Sequence, residues 1–153
     1  MQEILALFDQ NTTKCELVRQ EEDFDKTLDD KAMLSLTVVL SQNLTNFREL
    51  TISNFMLNHG MLTVLAAGIE NNKFLTKLTL QNDFIDDVGL SKLIAGLKAN
   101  TSISQLDISQ NRIKDKGMEQ LCAFMKFNGS RLHRLIAAQN LIETDFFGEI
   151  LVR

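Results

Sequence analysis

Histidine and cysteine are the side chains of this sequence best suited to catalysis or metal binding, and there are two of each. His59 and His133 lie far apart, and neither has a cysteine or carboxylate at the spacing of a metal site or a catalytic triad. Cys122 follows Leu121 in an apolar periodic segment and is interpreted as a small core residue. Cys15 lies in a segment without a clear pattern. These residues predict no catalytic site and no metal site.

Phosphate-binding and disulfide motifs are also missing from the sequence. Neither GxxxxGK nor GxGxxG occurs, so the usual glycine-rich signatures of nucleotide binding are absent. The two cysteines are too few and too far apart for a disulfide scaffold or a CxxC metal site. We therefore expect no cofactor, no enzymatic activity, and a cytoplasmic, reducing environment.

Four Asn-x-Ser/Thr triplets could accept N-linked glycans. They begin at Asn11, Asn43, Asn100 and Asn128. Their spacing is near a multiple of about 28 residues, and Asn71 and Asn72 fill the gap. We favour the interpretation that each asparagine ends a repeated helix, where asparagine tolerates a left-handed backbone.

Composition describes an ordinary acidic globular chain. It has 153 residues, a net charge of −4, 44% hydrophobic and 24% charged residues. A nucleic-acid-binding protein would usually be basic, so nucleic acid is disfavoured as a partner. No apolar run approaches the roughly 20 residues of a membrane helix, and Met1 to Phe8 lacks the basic cluster of a secretory signal. We expect no membrane partner.

A repeated apolar pattern supplies the elements that would position any site. The stretch from Phe74 to Gly89 recurs at an interval of about 28 residues. Its copies share two leucine-like positions two residues apart, then an Asn or Asp, then an apolar residue. The matching sets are Leu78, Leu80, Asp83 and Ile85; Leu106, Ile108, Asn111 and Ile113; Leu135, Ala137, Asn140 and Ile142; and, more loosely, Leu50, Ile52, Phe55 and Leu57.

Each copy predicts a strand followed by a helix. Residues two apart on a strand share one face, which neighbouring copies must cover by stacking. Parallel strands need long crossovers, and helices supply them. Strands are expected around 50–52, 77–81, 105–109 and 134–138, with helices at 61–71, 87–98, 115–127 and from about 144. Helices are wider than strands, so the sheet should curve on the inside. Phe55 interrupts the Asn/Asp column, and we expect a distorted turn there.

The first 28 residues carry a weaker signal. Residues 2–9 suggest a short helix, and the acidic stretch to Lys26 is interpreted as a capping or decayed repeat, or an acidic loop. Residues 29–43 match 86–100, which makes them the helix half of a repeat whose strand half has degenerated. We divide the chain into an N-terminal cap or degenerate repeat (1–28) and a repeat domain (29–153).

From Asp29 to the C-terminus the chain resembles leucine-rich repeats of the ribonuclease-inhibitor type, most clearly in Leu75–Asn100 and Ile103–Asn128. The resemblance implies an α/β solenoid with a curved parallel sheet inside and helices outside, here with an N-terminal helical cap. It implies a function in protein–protein interaction, as a scaffold or adaptor. The cysteine pattern of ribonuclease inhibitor is absent, and no segment matches the catalytic loop of the Ran GTPase-activating protein.

The family's usual ligand surface is the concave face of the sheet. The alternation of side chains places its residues in three columns, whose mixture of charged and small polar groups suits a protein partner. The columns are Glu49, Lys77, Gln105 and Arg134; Thr51, Thr79, Asp107 and Ile136; and Ser53, Gln81, Ser109 and Ala138.

The C-terminal end is a second candidate surface. Repeat arrays need a polar cap, whereas the last residues here are apolar at Phe146, Phe147, Ile150 and Leu151. An uncovered apolar patch implies a partner protein, self-association, or a chain that continues beyond this point.

Two alternatives to a scaffold stay open. A regulator of an enzyme, such as a GTPase activator or inhibitor, would present Arg or Asn on a loop at the strand ends. Asn54, Asn82 and Arg112 are the candidates, although they are also ordinary turn residues. A bacterial effector that binds a host protein is the other alternative.

Overall fold

The computed structural model describes residues 13–20, 28–43, 46–126 and 130–143. Five strands form one parallel sheet in sequence order, β1 to β5. Strands β1 (Lys14–Val18), β2 (Glu49–Ser53) and β3 (Lys77–Gln81) have five residues each. Strands β4 (Gln105–Asp107) and β5 (Arg134–Ile136) have three. The predicted repeat architecture is confirmed.

A helix follows each of the first four strands. These helices are α1 (Asp30–Ser41), α2 (His59–Glu70), α3 (Asp87–Ala99) and α4 (Asp115–Lys126). The first three begin at a side chain that accepts a hydrogen bond from a backbone N–H of the first turn: Asp29, Asn58 and Asp86. Such N-caps typically contribute about 1 kcal/mol each, and they fix where each strand-to-helix loop ends.

The core is a stack of equivalent apolar side chains. Leu50, Leu78, Leu106 and Leu135 are direct partners across the sheet, and Ile52 faces Leu80 in the neighbouring column. The helices bury their predicted apolar positions against this column. Burial of each such side chain contributes about 1.5–3 kcal/mol. In α4, Met118, Leu121 and Phe124 are buried, and Met125 is partly buried and packs against the core.

Strand β1 is present where the sequence indicates a degenerated strand half. It pairs in parallel with β2, placing Cys15 opposite Leu50 and Leu17 opposite Ile52. Cys15 is buried among the leucines and fills a leucine position. The sequence pattern does not predict this strand, because cysteine stands at the position of the first leucine. The helix predicted at 2–9 and most of the acidic stretch lie outside the described residues, and the division at 28/29 stays a prediction.

Asparagines at the helix ends stabilise the loops, partly for a different reason from the one predicted. Asn43 has the expected left-handed backbone, with φ of 53°. Asn100 has a φ of −71°, so the left-handed explanation is wrong there. Its buried side chain instead donates to Ile69 O and Asn72 O. Asn11 and Asn128 lie outside the described residues.

Phe55 does not distort the turn at its neighbour Asn54. The φ of Asn54 is 68°, close to that of Asn82 (56°), Gln110 (58°) and Gln139 (57°) at equivalent positions. The Phe55 N–H donates to Asp83 Oδ1 of the next repeat (2.8 Å), just as the Asp83 N–H donates to Asn111 Oδ1 (3.0 Å), so this loop keeps the bond that joins the later loops. The loop that differs from the others lies one repeat later, where Phe84 has a positive φ of 61° in addition to that of Asn82.

Candidate interaction surfaces

The structure aligns the predicted concave columns across the sheet. Glu49 pairs with Lys77, Lys77 with Gln105, and Gln105 with Arg134. The second column runs through Thr51, Thr79, Asp107 and Ile136 in the same way. Ser53 pairs with Gln81, while Ser109 and Ala138 lie just beyond the ends of the short strands.

Charges on this face are paired in part. Glu49 lies between two lysines, with its Oε2 3.3 Å from Lys14 Nζ and 3.7 Å from Lys77 Nζ. Such exposed pairs contribute little to stability, at most about 1 kcal/mol. Their effect here is to fix a row of alternating charge across the first three strands.

The predicted concave residues differ in how accessible they are. Ser53, Thr79 and Ser109 are buried. Ser53 Oγ donates to Gln81 O (3.1 Å) and Ser109 Oγ to Asp107 Oδ1 (2.6 Å), so both hydroxyls are occupied within the sheet. The remaining members are half-buried, except Arg134, Ile136 and Ala138 in the last repeat, which are exposed.

The residues considered for catalysis do not form a reactive site. His59 Nε2 lies 2.9 Å from Asp86 Oδ1, a contact between repeats that sequence spacing does not reveal. Burial raises the pKa of Asp86, but hydrogen bonds from the Gly89 N–H and from His59 outweigh it, and the pKa lies below its usual value. This pair is exposed and joins the starts of α2 and α3.

Cys15 does not fit a nucleophile, and the described residues hold no metal cluster. Burial, with a smaller contribution from Glu16, raises the pKa of the Cys15 thiol to about 11, which suppresses the reactive thiolate. Cys122 is half-buried in α4. No group of three or more His, Cys, Asp or Glu side chains within the described ranges could hold a metal ion.

The Asn/Asp column joins successive loops from inside. Asn111 Nδ2 donates to Leu80 O (2.7 Å) of the preceding repeat, and its Oδ1 accepts from the N–H groups of Asp83 and Ile85 (3.0 Å each). Asn140 repeats part of this pattern, donating to Ile108 O (2.9 Å). These bonds hold the strand-to-helix loops in register and satisfy buried backbone groups.

A row of side chains on these loops includes Arg112, but its three other members are not predicted from the sequence as site residues. Met56, Phe84, Arg112 and Leu141 occupy equivalent positions in successive repeats, each one residue after the Asn/Asp column, and all are exposed. We call them the rim stripe. The Arg112 guanidinium carbon lies 4.3 Å from the centre of the Phe84 ring. The signal was available in the sequence as apolar residues recurring at a position outside the core pattern.

The loop residues considered for GTPase regulation are tied into the scaffold. Asn82 Nδ2 donates to Asn54 Oδ1 (3.0 Å), and Asn54 Nδ2 donates to Arg19 O (2.8 Å). Arg112 is held over Phe84. The apolar C-terminal residues Phe146, Phe147, Ile150 and Leu151 lie outside the described residues, so that candidate surface stays a prediction.

Comparison with known proteins supports the repeat assignment. A family model described as Leucine Rich repeat matches residues 99–122. The sequence matches no curated protein. Among solved structures, that of leiomodin-1 actin-binding site 2 is similar, with a TM-score of 0.65 and 20% sequence identity. The match covers 74% of this chain and 65% of the leiomodin-1 chain, and it shows a shared fold alone. Within the described residues, no helix is long and apolar enough to cross a membrane.

Proposed function

We propose that this chain, a leucine-rich-repeat protein, works as a non-enzymatic scaffold or adaptor that binds a partner protein on its concave face. The observation that carries the proposal is the register of the sheet. Four strands present Glu49, Lys77, Gln105 and Arg134 in one row, with a second row ending at Ile136. Mixed charge with one exposed apolar position is typical of the rim and core of a protein interface.

The similar structure suggests which partner to test first. Leiomodin-1 actin-binding site 2 has the same fold, so actin is a reasonable first ligand for a binding assay. Because the fold alone is shared, the concave residues of this chain decide the partner. A scaffold role also fits a reducing, cytoplasmic location, since Cys15 is a buried free thiol. The proposed repeat domain is 29–153, with 1–28 as its cap or degenerate first repeat.

A double charge reversal tests the concave face. Lys77→Glu with Asp107→Lys reverses one charge in each of two neighbouring columns and leaves the net charge of the protein unchanged. We expect capture of actin, or of the partner identified by affinity purification, to fall at least about tenfold, the usual effect of mismatched charges at an interface. Binding is measured by surface plasmon resonance.

The matched control is a reversal on exposed helix positions, Glu70→Lys with Lys92→Glu, which also keeps the net charge. This control should bind like the unmodified protein. If the concave variant also captures the partner with unchanged affinity, the concave face is not the binding surface and the proposal is wrong.

A further inference from the structure

We infer that the rim stripe is a second docking surface, and that it accepts an acidic amphipathic helix of a partner protein. Three of its four positions carry large apolar side chains in water: Met56 is 70% exposed, Leu141 52% and Phe84 41%. Val88 in the first turn of α3 is also exposed (51%). Apolar side chains that recur at one position of the repeat, here with Arg112 between Phe84 and Leu141, mark an interaction site more strongly than scattered exposed residues do.

The backbone and the ring of Phe84 are both restrained. Its backbone φ of 61° lies in the left-handed region, which is unfavourable for a residue with a Cβ atom. Its three equivalents in the other repeats do not share this conformation. The guanidinium of Arg112 stacks on the ring and limits its movement. A restrained aromatic group loses little conformational entropy on binding, which favours its use as an anchor.

The spacing of the stripe fits a helix. Main-chain hydrogen bonds join the neighbouring loops, from Leu57 N–H to Asp83 O (3.1 Å), from Arg112 N–H to Ile85 O (2.8 Å), and from Leu141 N–H to Ile113 O (2.9 Å). Backbones bonded in this way lie about 4.8 Å apart. A helix presents one side chain per turn of about 5.4 Å, whereas an extended chain presents one every 6.6 Å or so. A helix crossing the loops therefore matches the stripe better than a strand.

The charge around the stripe selects an acidic partner. Arg112, Lys114 and Lys116 are exposed on the loop and first turn of α4. Three of the nearby carboxylates accept hydrogen bonds from the backbone. Asp86 Oδ1 accepts from Gly89 N–H (2.8 Å), Asp87 Oδ1 from Lys114 N–H (2.8 Å), and Asp115 Oδ1 from Glu143 N–H (2.9 Å). Since these bonds partly balance the charges of the three aspartates, the two lysines and the arginine outnumber the exposed carboxylate of Glu143.

The probe for this surface is a fluorescent synthetic peptide of about 18 residues, long enough to form a helix. It carries leucines at i, i+4, i+7 and i+11, with glutamate and alanine elsewhere, and binding is followed by anisotropy. We expect saturable binding that weakens at least about tenfold in the Met56→Gln, Phe84→Asn double variant. Asn tolerates the left-handed backbone, so the fold should survive, as thermal unfolding will check. Leu34→Gln, which removes an exposed leucine of α1, is the matched control and should bind normally.

Two further variants test whether the rim stripe selects an acidic peptide and whether it is distinct from the concave face. Arg112→Glu with Lys116→Glu should weaken the glutamate peptide and favour a peptide with lysine in its place. The concave reversal Lys77→Glu with Asp107→Lys should leave peptide binding unchanged, which separates this surface from the proposed function. No saturable binding at about 1 mM, equal binding of both peptides, or an equal loss in Leu34→Gln would overturn the inference. So would self-association abolished by the double variant, because a second copy would then be the occupant.

Discussion

Asp83 occupies the position at which the next two repeats have Asn111 and Asn140. It is completely buried, and burial raises its pKa to about 8 despite the opposing hydrogen bond from Phe55. Its Oδ1 accepts that bond, whereas Oδ2 has no partner within the described residues. In the other repeats the corresponding atom is an amide nitrogen that donates to backbone carbonyl groups. A protonated carboxyl group can imitate such a donor, but a carboxylate cannot.

We therefore predict that Asp83→Asn stabilises the protein in a pH-dependent way. Because the folded-state pKa is raised from 3.8 to about 8, the carboxyl group contributes full stability below pH 3.8. That contribution is lost as the pH rises, by up to about 1.4 kcal/mol per unit, until the folded state ionises near pH 8. The variant should match the unmodified protein near pH 3.5 and exceed it increasingly up to pH 8.

Urea unfolding at several pH values measures this difference, and Asp30→Asn in the first turn of α1 serves as a control at an exposed carboxylate. A constant difference between the Asp83→Asn variant and the unmodified protein from pH 4 to 8 would show that Asp83 is already charged in the folded state.

For single residues, the sequence predicts where a side chain lies in the repeat better than it predicts protonation or backbone conformation. The Asn/Asp column was identified from spacing, and its hydrogen-bonding role follows from amide chemistry. The neutrality of Asp83 and the left-handed backbone of Phe84 depend on the surrounding packing, which residue type alone does not specify. The His59–Asp86 contact likewise requires two repeats to be placed side by side.

The helices of neighbouring repeats approach one another closely at glycine. A Cβ atom built on Gly96 of α3 would clash with the backbone carbonyl of Ala66 in α2. One on Gly89 would lie 2.6 Å from Leu62 Cδ1, a flexible side chain that can move. Gly96 therefore has less room for a side chain than Gly89, because its neighbour is rigid backbone.

Gly96→Ala should destabilise the protein by roughly 1–3 kcal/mol, because α2 and α3 must separate to admit the methyl group. This loss should exceed the gain of about 1 kcal/mol that alanine normally brings to a helix interior. Gly60→Ala is the control, since this exposed glycine would contact only the Asn58 side chain at 3.0 Å. Chemical denaturation gives both values, and a Gly96→Ala variant as stable as the unmodified protein would contradict the close packing.

The sequence predicts the strands that keep the full apolar pattern better than those in which a residue of another type stands at an apolar position. Strand β3 matches its predicted bounds, 77–81. Strands β4 and β5 end two residues earlier than predicted, where Ser109 and Ala138 already belong to the turns. Strand β1 was missed because Cys15 replaces a leucine, although the cysteine is apolar enough to be buried in that column.

At the scale of the molecule, the repeats within the described residues pack mainly against their neighbours in the sequence. Helices α1 to α4 pack in sequence order, as the five strands do. Stability in such an array is a sum of repeat terms and interfaces between neighbours, so it should fall towards the ends. Strand β3 has partners on both sides, and its leucines are fully buried. Strands β1 and β5 are the edges of the described sheet, and Leu135 in β5 is only half-buried.

Native-state hydrogen exchange should therefore resolve the repeats. We expect the bonded amides of β3 to exchange only through global unfolding, with the corresponding urea dependence, and those of β5 to exchange at least about tenfold faster through local opening. Strand β1 should lie between them, because Cys15 and Leu17 pack on the core. NMR exchange at increasing urea measures the opening free energy of each amide. If β1, β3 and β5 share one free energy and one urea dependence, the array unfolds as a single unit, and interactions beyond nearest neighbours must join its ends.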